Sequence, residues 1–206
     1  MQTDELIALL AKTPRRPALG WARALAGLVA AIMTVTVLVL GLRPDIARPP
    51  AAMAYKSALL VAVLASAGLM LARAARPLAP RHASRLPVLA VAALIAVSLG
   101  WEWASMPLSS ILRGFWMPNF PFCLGAVTLY GTAAGAALTA LMRTYAPADA
   151  KRAATAIGLA AAAAGAVGYS IHCPIDSPTF VVVAYGLPIG WITAIGRLVL
   201  ARRLTW

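Results

Sequence analysis

Apolar residues along this chain gather in six long runs, and the charged and chain-breaking residues fall between them. The runs cover residues 22–42, 53–72, 86–103, 120–142, 153–171 and 178–200. A helix rises about 1.5 Å per residue, so about 20 apolar residues cross the hydrocarbon of a bilayer. All six runs reach or approach that length. The connections carry Arg43-Pro44-Asp45, Pro49-Pro50, Pro77 and Pro80, Pro118 and Pro121, Pro147, and Pro174 with Pro178. Proline ends helices by removing a donor and clashing with the preceding turn. The pattern predicts an all-α integral membrane protein, a bundle of six transmembrane helices over residues 22–206. A short segment, residues 1–21, precedes it.

The distribution of charge orients the bundle. Lys and Arg number 18 in the chain. Fourteen of them lie in residues 1–23, in the second and fourth connections and at the C-terminal end. The opposite side holds Arg43, Arg48, Lys56 and Arg113. Basic residues are retained on the cytoplasmic side, so both termini are expected there, in a multi-pass membrane protein. The first run is too long for a cleavable leader, and Met1-Gln2-Thr3-Asp4-Glu5 is not a basic leader start. Lys56, near one end of the second run, is expected to snorkel. Trp101, Trp103 and Trp116 at the outer side, with Trp21 and Trp206 at the inner, suit an interfacial aromatic belt.

Composition agrees and narrows the function. The chain is 62% hydrophobic and 12% charged with a net charge of +12; a soluble domain carries about twice that charge fraction. The basic residues sit in short clusters flanking apolar runs, which is membrane topology rather than a nucleic-acid surface. Two His, two Cys and six acids leave little from which to build an enzyme. Ala160–Ala164 with Gly165, and Gly131 with Gly135, are small-residue faces for close helix packing, within one chain or between two. The oligomeric state stays open.

Reactive groups concentrate on the expected outer side. Cys123 opens the fourth run. His172-Cys173-Pro174-Ile175-Asp176-Ser177-Pro178 forms the turn between the last two, and Glu102 caps the third on the same side. The cysteines admit two readings: a structural disulfide or inert thiols, or a sensor. Cys123, His172 and Cys173 could supply ligands to a metal ion; no other cofactor is expected. A thiol oxidoreductase would carry Cys-x-x-Cys, and none is present. A small transporter or metal-handling protein is the rival use of six helices, but the runs offer mainly Thr34, Thr36, Ser66 and Thr128, hydroxyls that usually bond back to the helix. His82 reads as a solvated loop residue.

The first residues carry a different signal. Thr3 can cap a short helix, with Asp4 and Glu5 in its first turn where the dipole favours acids. Leu6, Ile7 and Leu10 share one face. Two acids at the start oppose adsorption to anionic headgroups, so a helix docked in a partner's groove fits better than one lying on the membrane.

Thr3-Asp4-Glu5-Leu6-Ile7-x-x-Leu10, the run from Tyr169 through His172-Cys173-Pro174-Ile175-Asp176-Ser177-Pro178 to Phe180, Tyr185-Gly186, and the closing Arg202-Arg203-Leu204-x-Trp206 together resemble the NrsF-type membrane anti-sigma factors. The likeness extends over the whole chain. Ala184 departs from the aromatic residue usual before the Tyr. The resemblance implies a non-enzymatic regulator that holds an extracytoplasmic-function sigma factor inactive at the lipid bilayer and releases it under stress. It makes residues Asp4, Glu5, Leu6, Ile7 and Leu10 candidates for sigma-factor binding. Cys123, Cys173, His172 and Asp176 become candidates for perceiving stress. No direct contact with nucleic acid is implied.

The topology has a direct check. A reporter active only in the periplasm is expected to give signal when fused after Ala47, Met117 or Asp176. After Ala79, Ala148 or Trp206 it is expected to give none, because the basic asymmetry is spread over four segments.

Overall fold

The computed structural model describes residues 19–47, 51–75, 86–113, 115, 119–145, 147 and 149–204. These residues form seven helices: α1 Leu19–Leu40, α2 Ala51–Ala74, α3 Leu86–Ser105, α4 Leu108–Arg113, α5 Asn119–Arg143, α6 Ala150–Ser170 and α7 Pro178–Arg203. Six are long and apolar enough to cross a membrane; α4 is the exception. It sits in the connection after α3, where six residues are too few to declare a hydrophobic period. Asp4, Glu5, Leu6, Ile7 and Leu10 lie outside the described residues, as do His82, Trp116 and Trp206.

Local chemistry sets the helix ends. Gly41 adopts φ of 83° directly after α1 and donates its N–H to Val37 O at 3.1 Å. Glycine takes this left-handed conformation without steric cost, which closes the last turn. Asp149 caps α6 by accepting from Arg152 N at 2.9 Å. Ser177 caps α7, and Pro178 opens it, a position where proline's missing donor is of no consequence.

α6 is the axis of the bundle. Of its hydrophobic span, 89% is buried inside the protein, and it packs against α1, α2, α5 and α7. Side chains this small let backbones meet. A Cβ on Gly165 would come 2.8 Å from Gly131 N, and one on Gly158 would come 2.8 Å from Thr193 Cα. Gly131 and Gly135 face Ala162 and Ala161 of the same chain, so this small-residue face is used within the bundle. α3 lies at the periphery, packed mainly on α2 and α7. Leu38, Val39, Val97 and Leu198 are exposed on the outer surface, as lipid-facing residues of a membrane bundle would be.

Two of the polar and aromatic expectations change. Trp21 is not a belt residue: it is buried, tilted against Tyr145 with ring centroids 5.0 Å apart, in a cluster with Leu71, Met142, Ala153 and Leu204. Trp101 and Trp103 do lie exposed. Thr34, Ser66 and Thr128 bond back to the carbonyls of Ala30, Ala62 and Leu124, whereas the buried Thr36 hydroxyl finds no partner.

Close backbone packing can be tested by adding one methyl group. Gly158→Ala or Gly165→Ala is expected to destabilise the purified protein by about 1–3 kcal/mol in thermal unfolding, because the new Cβ meets backbone that cannot yield. Gly186→Ala, with nothing within 4 Å of the added atom, should be neutral or slightly stabilising.

Candidate functional site

One end of the bundle gathers most of the chain's reactive side chains. The loop at residues 171–177 lies over it, and α2, the start of α5 and the α1–α2 connection supply partners. Cys123, in the first turns of α5, places its Sγ 3.4 Å from Cys173 Sγ in the loop. Both are free thiols and both are buried. The Tyr169 hydroxyl lies 3.3 Å from Cys123 Sγ. Phe180, Val181, Ala184 and Tyr185 of α7 complete an apolar jacket. The buried Tyr185 hydroxyl finds no hydrogen-bond partner among the described residues. A disulfide needs its sulfurs about 2.05 Å apart, so this pair is within one small displacement of bonding.

A buried ionic cluster holds the loop. Asp176 accepts two hydrogen bonds from the Arg43 guanidinium, Nη1 to Oδ1 at 2.9 Å and Nη2 to Oδ2 at 2.8 Å. Lys56 Nζ lies 2.6 Å from Asp176 Oδ1 and donates to Cys173 O at 2.7 Å and Ile175 O at 3.2 Å. Arg43 also bonds Asp45 through Nε at 2.5 Å and Nη2 at 2.7 Å. Its backbone N–H donates to Ile171 O at 3.2 Å. Arg43 is 1% and Lys56 0% exposed; charges so buried persist only when paired and fully hydrogen-bonded. Two cations and two carboxylates make the cluster neutral. Lys56 therefore does not snorkel. A bilayer-facing lysine would keep its ammonium in water, whereas this one turns inward to a carboxylate and two carbonyls.

The surroundings set the protonation states in the loops. Burial pushes the Asp176 carboxyl up, but hydrogen bonds from Arg43 and Lys56 outweigh it and hold the group below the ordinary carboxylate value. The Arg43 hydrogen bond lowers Asp45 likewise. Arg43 is raised, first by its bond to Asp45 and then by Asp176. The Cys173 thiol is lowered by the hydrogen bond from Cys123 and further by the Lys56 charge, against burial.

The remaining residues divide between this cluster and a second one. His172 is half-buried and turns its Nδ1 to Gly41 O at 3.0 Å. Its ring packs on Tyr169 and Phe122. It ties the loop to α1 rather than joining the sulfurs. Asp176 likewise serves Arg43 and Lys56. Among the described residues no three His, Cys, Asp or Glu side chains come together in a way that could hold a metal ion, so the geometry does not assemble Cys123, His172 and Cys173 as a ligand set. Glu102 lies in the last turn of α3 and accepts from the first turn of α7 rather than capping its own helix. It accepts from Ser177 Oγ at 2.5 Å, Thr179 N at 2.7 Å and Thr179 Oγ1 at 2.6 Å. A carboxylate at a helix N-terminus meets the positive end of the dipole. Trp103 Nε1 donates to Thr179 Oγ1 at 2.9 Å from the same side.

Arg43 and Lys56 are the residues of this cluster that hydropathy hides. Both read as flanking charges of a span. The usable signal was the charge balance on their side of the bundle, where an acid in a tight loop invites a cation from a neighbouring connection.

Removing the shared carboxylate tests the clamp. Asp176→Asn leaves two buried cations short of a partner and is expected to cost about 3–5 kcal/mol in unfolding of the purified protein. Asp45→Asn, on a carboxylate that is 43% exposed, should cost far less. Because the folded-state value of Asp176 is depressed, its contribution is present above the unfolded carboxylate pKa of about 4. It is lost as pH falls through the lowered folded value. The melting temperature of the wild type should therefore fall on acidification below about pH 4, and that of Asp176→Asn should fall less.

No curated protein and no solved structure matches the chain. A family model does, over residues 8–206, and it covers all six long helices together with the cysteine loop and the cations that clamp it. By that match the chain belongs to the NrsF family, the negative regulators of sigma F.

Proposed function

We propose that this chain sequesters an extracytoplasmic-function sigma factor at the cytoplasmic face of the bacterial inner membrane. In this reading the segment carrying Asp4, Glu5, Leu6, Ile7 and Leu10 binds the sigma factor, and the Cys123–Cys173 pair governs its release. The observation that carries it is the 3.4 Å separation of two buried free sulfurs on different elements. Family membership supplies the regulatory role and a sigma-factor partner.

The packing supplies a route between the two ends. Oxidation of the dithiol to a disulfide draws the sulfurs to about 2.05 Å and re-spaces the start of α5 against the 171–177 loop. α5 packs along α6, and α6 along α7, through close backbone contacts, and tightly packed helices shift as rigid units. Just beyond the far end of α5, Tyr145 packs on Trp21, two residues into α1 and adjoining the N-terminal segment. A displacement of α5 thus bears on the point from which the sigma-binding segment leaves the membrane. The buried ionisable groups gather at one end of the bundle rather than at mid-depth, which favours a sensor over a transport pathway.

Two sets of variants separate the halves of this proposal. Leu6→Asp or Ile7→Asp should abolish co-purification with the sigma factor while membrane insertion persists, because an acid on the docking face costs several kcal/mol. Asp4→Lys should weaken binding less, and in a salt-dependent way. The Cys123→Ser/Cys173→Ser variant should remain abundant and keep the sigma factor bound under stress. A fully abundant double variant that releases its sigma factor normally would refute the sensing role.

A further inference from the structure

The two sulfurs are not equivalent. Cys123 sits on a helix amid apolar side chains, with Tyr169 as its other polar neighbour. Cys173 sits in the loop whose backbone is held by cations: Lys56 Nζ is 2.7 Å and Arg43 Nη1 is 3.4 Å from its carbonyl oxygen. The thiol of Cys123 donates toward Cys173 Sγ. Negative charge on sulfur is therefore favoured at Cys173, which receives that hydrogen bond and whose own carbonyl is bound by the ammonium. Lys56 is held in that place by Asp176 and two loop carbonyls.

We propose that Cys173 is the sulfur that attacks a two-electron oxidant of the peroxide class, that Cys123 then closes the disulfide on it, and that Lys56 is the positioning residue that assigns these roles. This rests on the reading of the pair as the stress-responsive element. In the first step the Cys173 thiolate attacks one peroxide oxygen. An S–O bond forms, the O–O bond breaks and hydroxide leaves; the sulfur loses two electrons and the peroxide gains them. In the second step Cys123 sulfur attacks Cys173 sulfur. The S–S bond forms, the S–O bond breaks, and water departs with the Cys123 proton. Overall two thiols and one hydrogen peroxide give one disulfide and two waters. The lowered Cys173 thiol agrees with this order, since the thiolate is the reactive form.

The groups facing Cys173 come from every packed element: Lys56 of α2, Arg43 of the α1–α2 connection, Cys123 of α5, Tyr169 of α6 and Tyr185 of α7, with His172 and Asp176 in its own loop. Lys56 is the cation among them that a substitution can neutralise while keeping hydrogen bonds to the loop carbonyls, as Lys56→Gln.

The test uses the full chain in detergent, hydrogen peroxide as oxidant and dimedone as a trap for sulfenic acid, with adducts located by mass spectrometry across a pH series. Cys123→Ser should form the adduct at Cys173 at least about tenfold faster than Cys173→Ser forms it at Cys123. Both thiols are buried, so reagent enters when the loop opens. An opening step that does not itself titrate scales the rate without moving its pH midpoint. In the Cys123→Ser background, Lys56→Gln should raise that midpoint and Lys56→Arg should restore it; the midpoint rather than the absolute rate is the readout, because Lys56 also holds the loop closed. Equal or faster trapping at Cys123 would overturn the assignment. So would a midpoint unmoved by Lys56→Gln. If Lys56→Gln does not fold, the comparison of the two single-cysteine proteins decides alone. An overturned order with peroxide-driven disulfide and sigma release intact in the wild type would leave the sensor reading standing. Release unaffected by loss of both cysteines would remove the sensor and this inference together.

Discussion

Helices that touch inside a bilayer gain little from the hydrophobic effect, because the lipid tails they displace are as apolar as leucine. What holds them is contact density, and this chain maximises it by stripping side chains from its central helix. Sixteen residues of α6 are buried, twelve of them Ala or Gly. Gly131, Gly158 and Gly165 lie where an added Cβ would meet backbone, so α5 and α7 close directly on α6. The other features follow from that approach. Once α5, α6 and α7 are fixed against each other, the loop joining α6 to α7 has one place to lie, and Cys173 is brought over the start of α5.

The loop is then secured by charge rather than by packing alone. A buried ion pair is a poor source of net stability, since desolvation offsets most of the attraction. Its value here is definition. Asp176 reaches two cations from two different elements, and those cations bind three carbonyls of the loop. His172 and the Arg43 backbone tie the same loop to the end of α1 and the connection after it. Glu102 fastens its far side through Ser177 and Thr179. The loop is thus held from α1, α2 and α3 while the sulfur pair joins it to α5. In so constrained a frame, closing the dithiol as proposed would displace the loop or α5, because neither side is free to absorb the change.

This arrangement suits a family of negative regulators of a sigma factor. Under the proposed function, chemistry at one end of the bundle acts on a partner at the other, and that needs a rigid body between them. The bundle provides one: close-packed small residues through the middle, a polar clamp at one end, and the Trp21–Tyr145 contact at the other.

The helical fold was legible in the chain because hydropathy is a local property. Six apolar runs, proline between them and a one-sided distribution of Arg and Lys need no tertiary information to be read. Cys123 and the 171–177 turn stood out as candidates too, since reactive residue types are rare in this chain. Partnership was not legible. Lys56 looked like a snorkelling flank, Trp21 like a belt residue, Glu102 like a cap of its own helix and Asp176 like a companion of the thiols. Each turned elsewhere because its partner lies tens of residues away: Asp176 for Lys56, Tyr145 for Trp21, Thr179 for Glu102. Hydropathy says that a residue is polar and where it sits along a helix, but not which way that helix faces. Rotation about the helix axis is settled only when neighbouring helices pack, and in this protein that decision belonged to the glycines and alanines around α6.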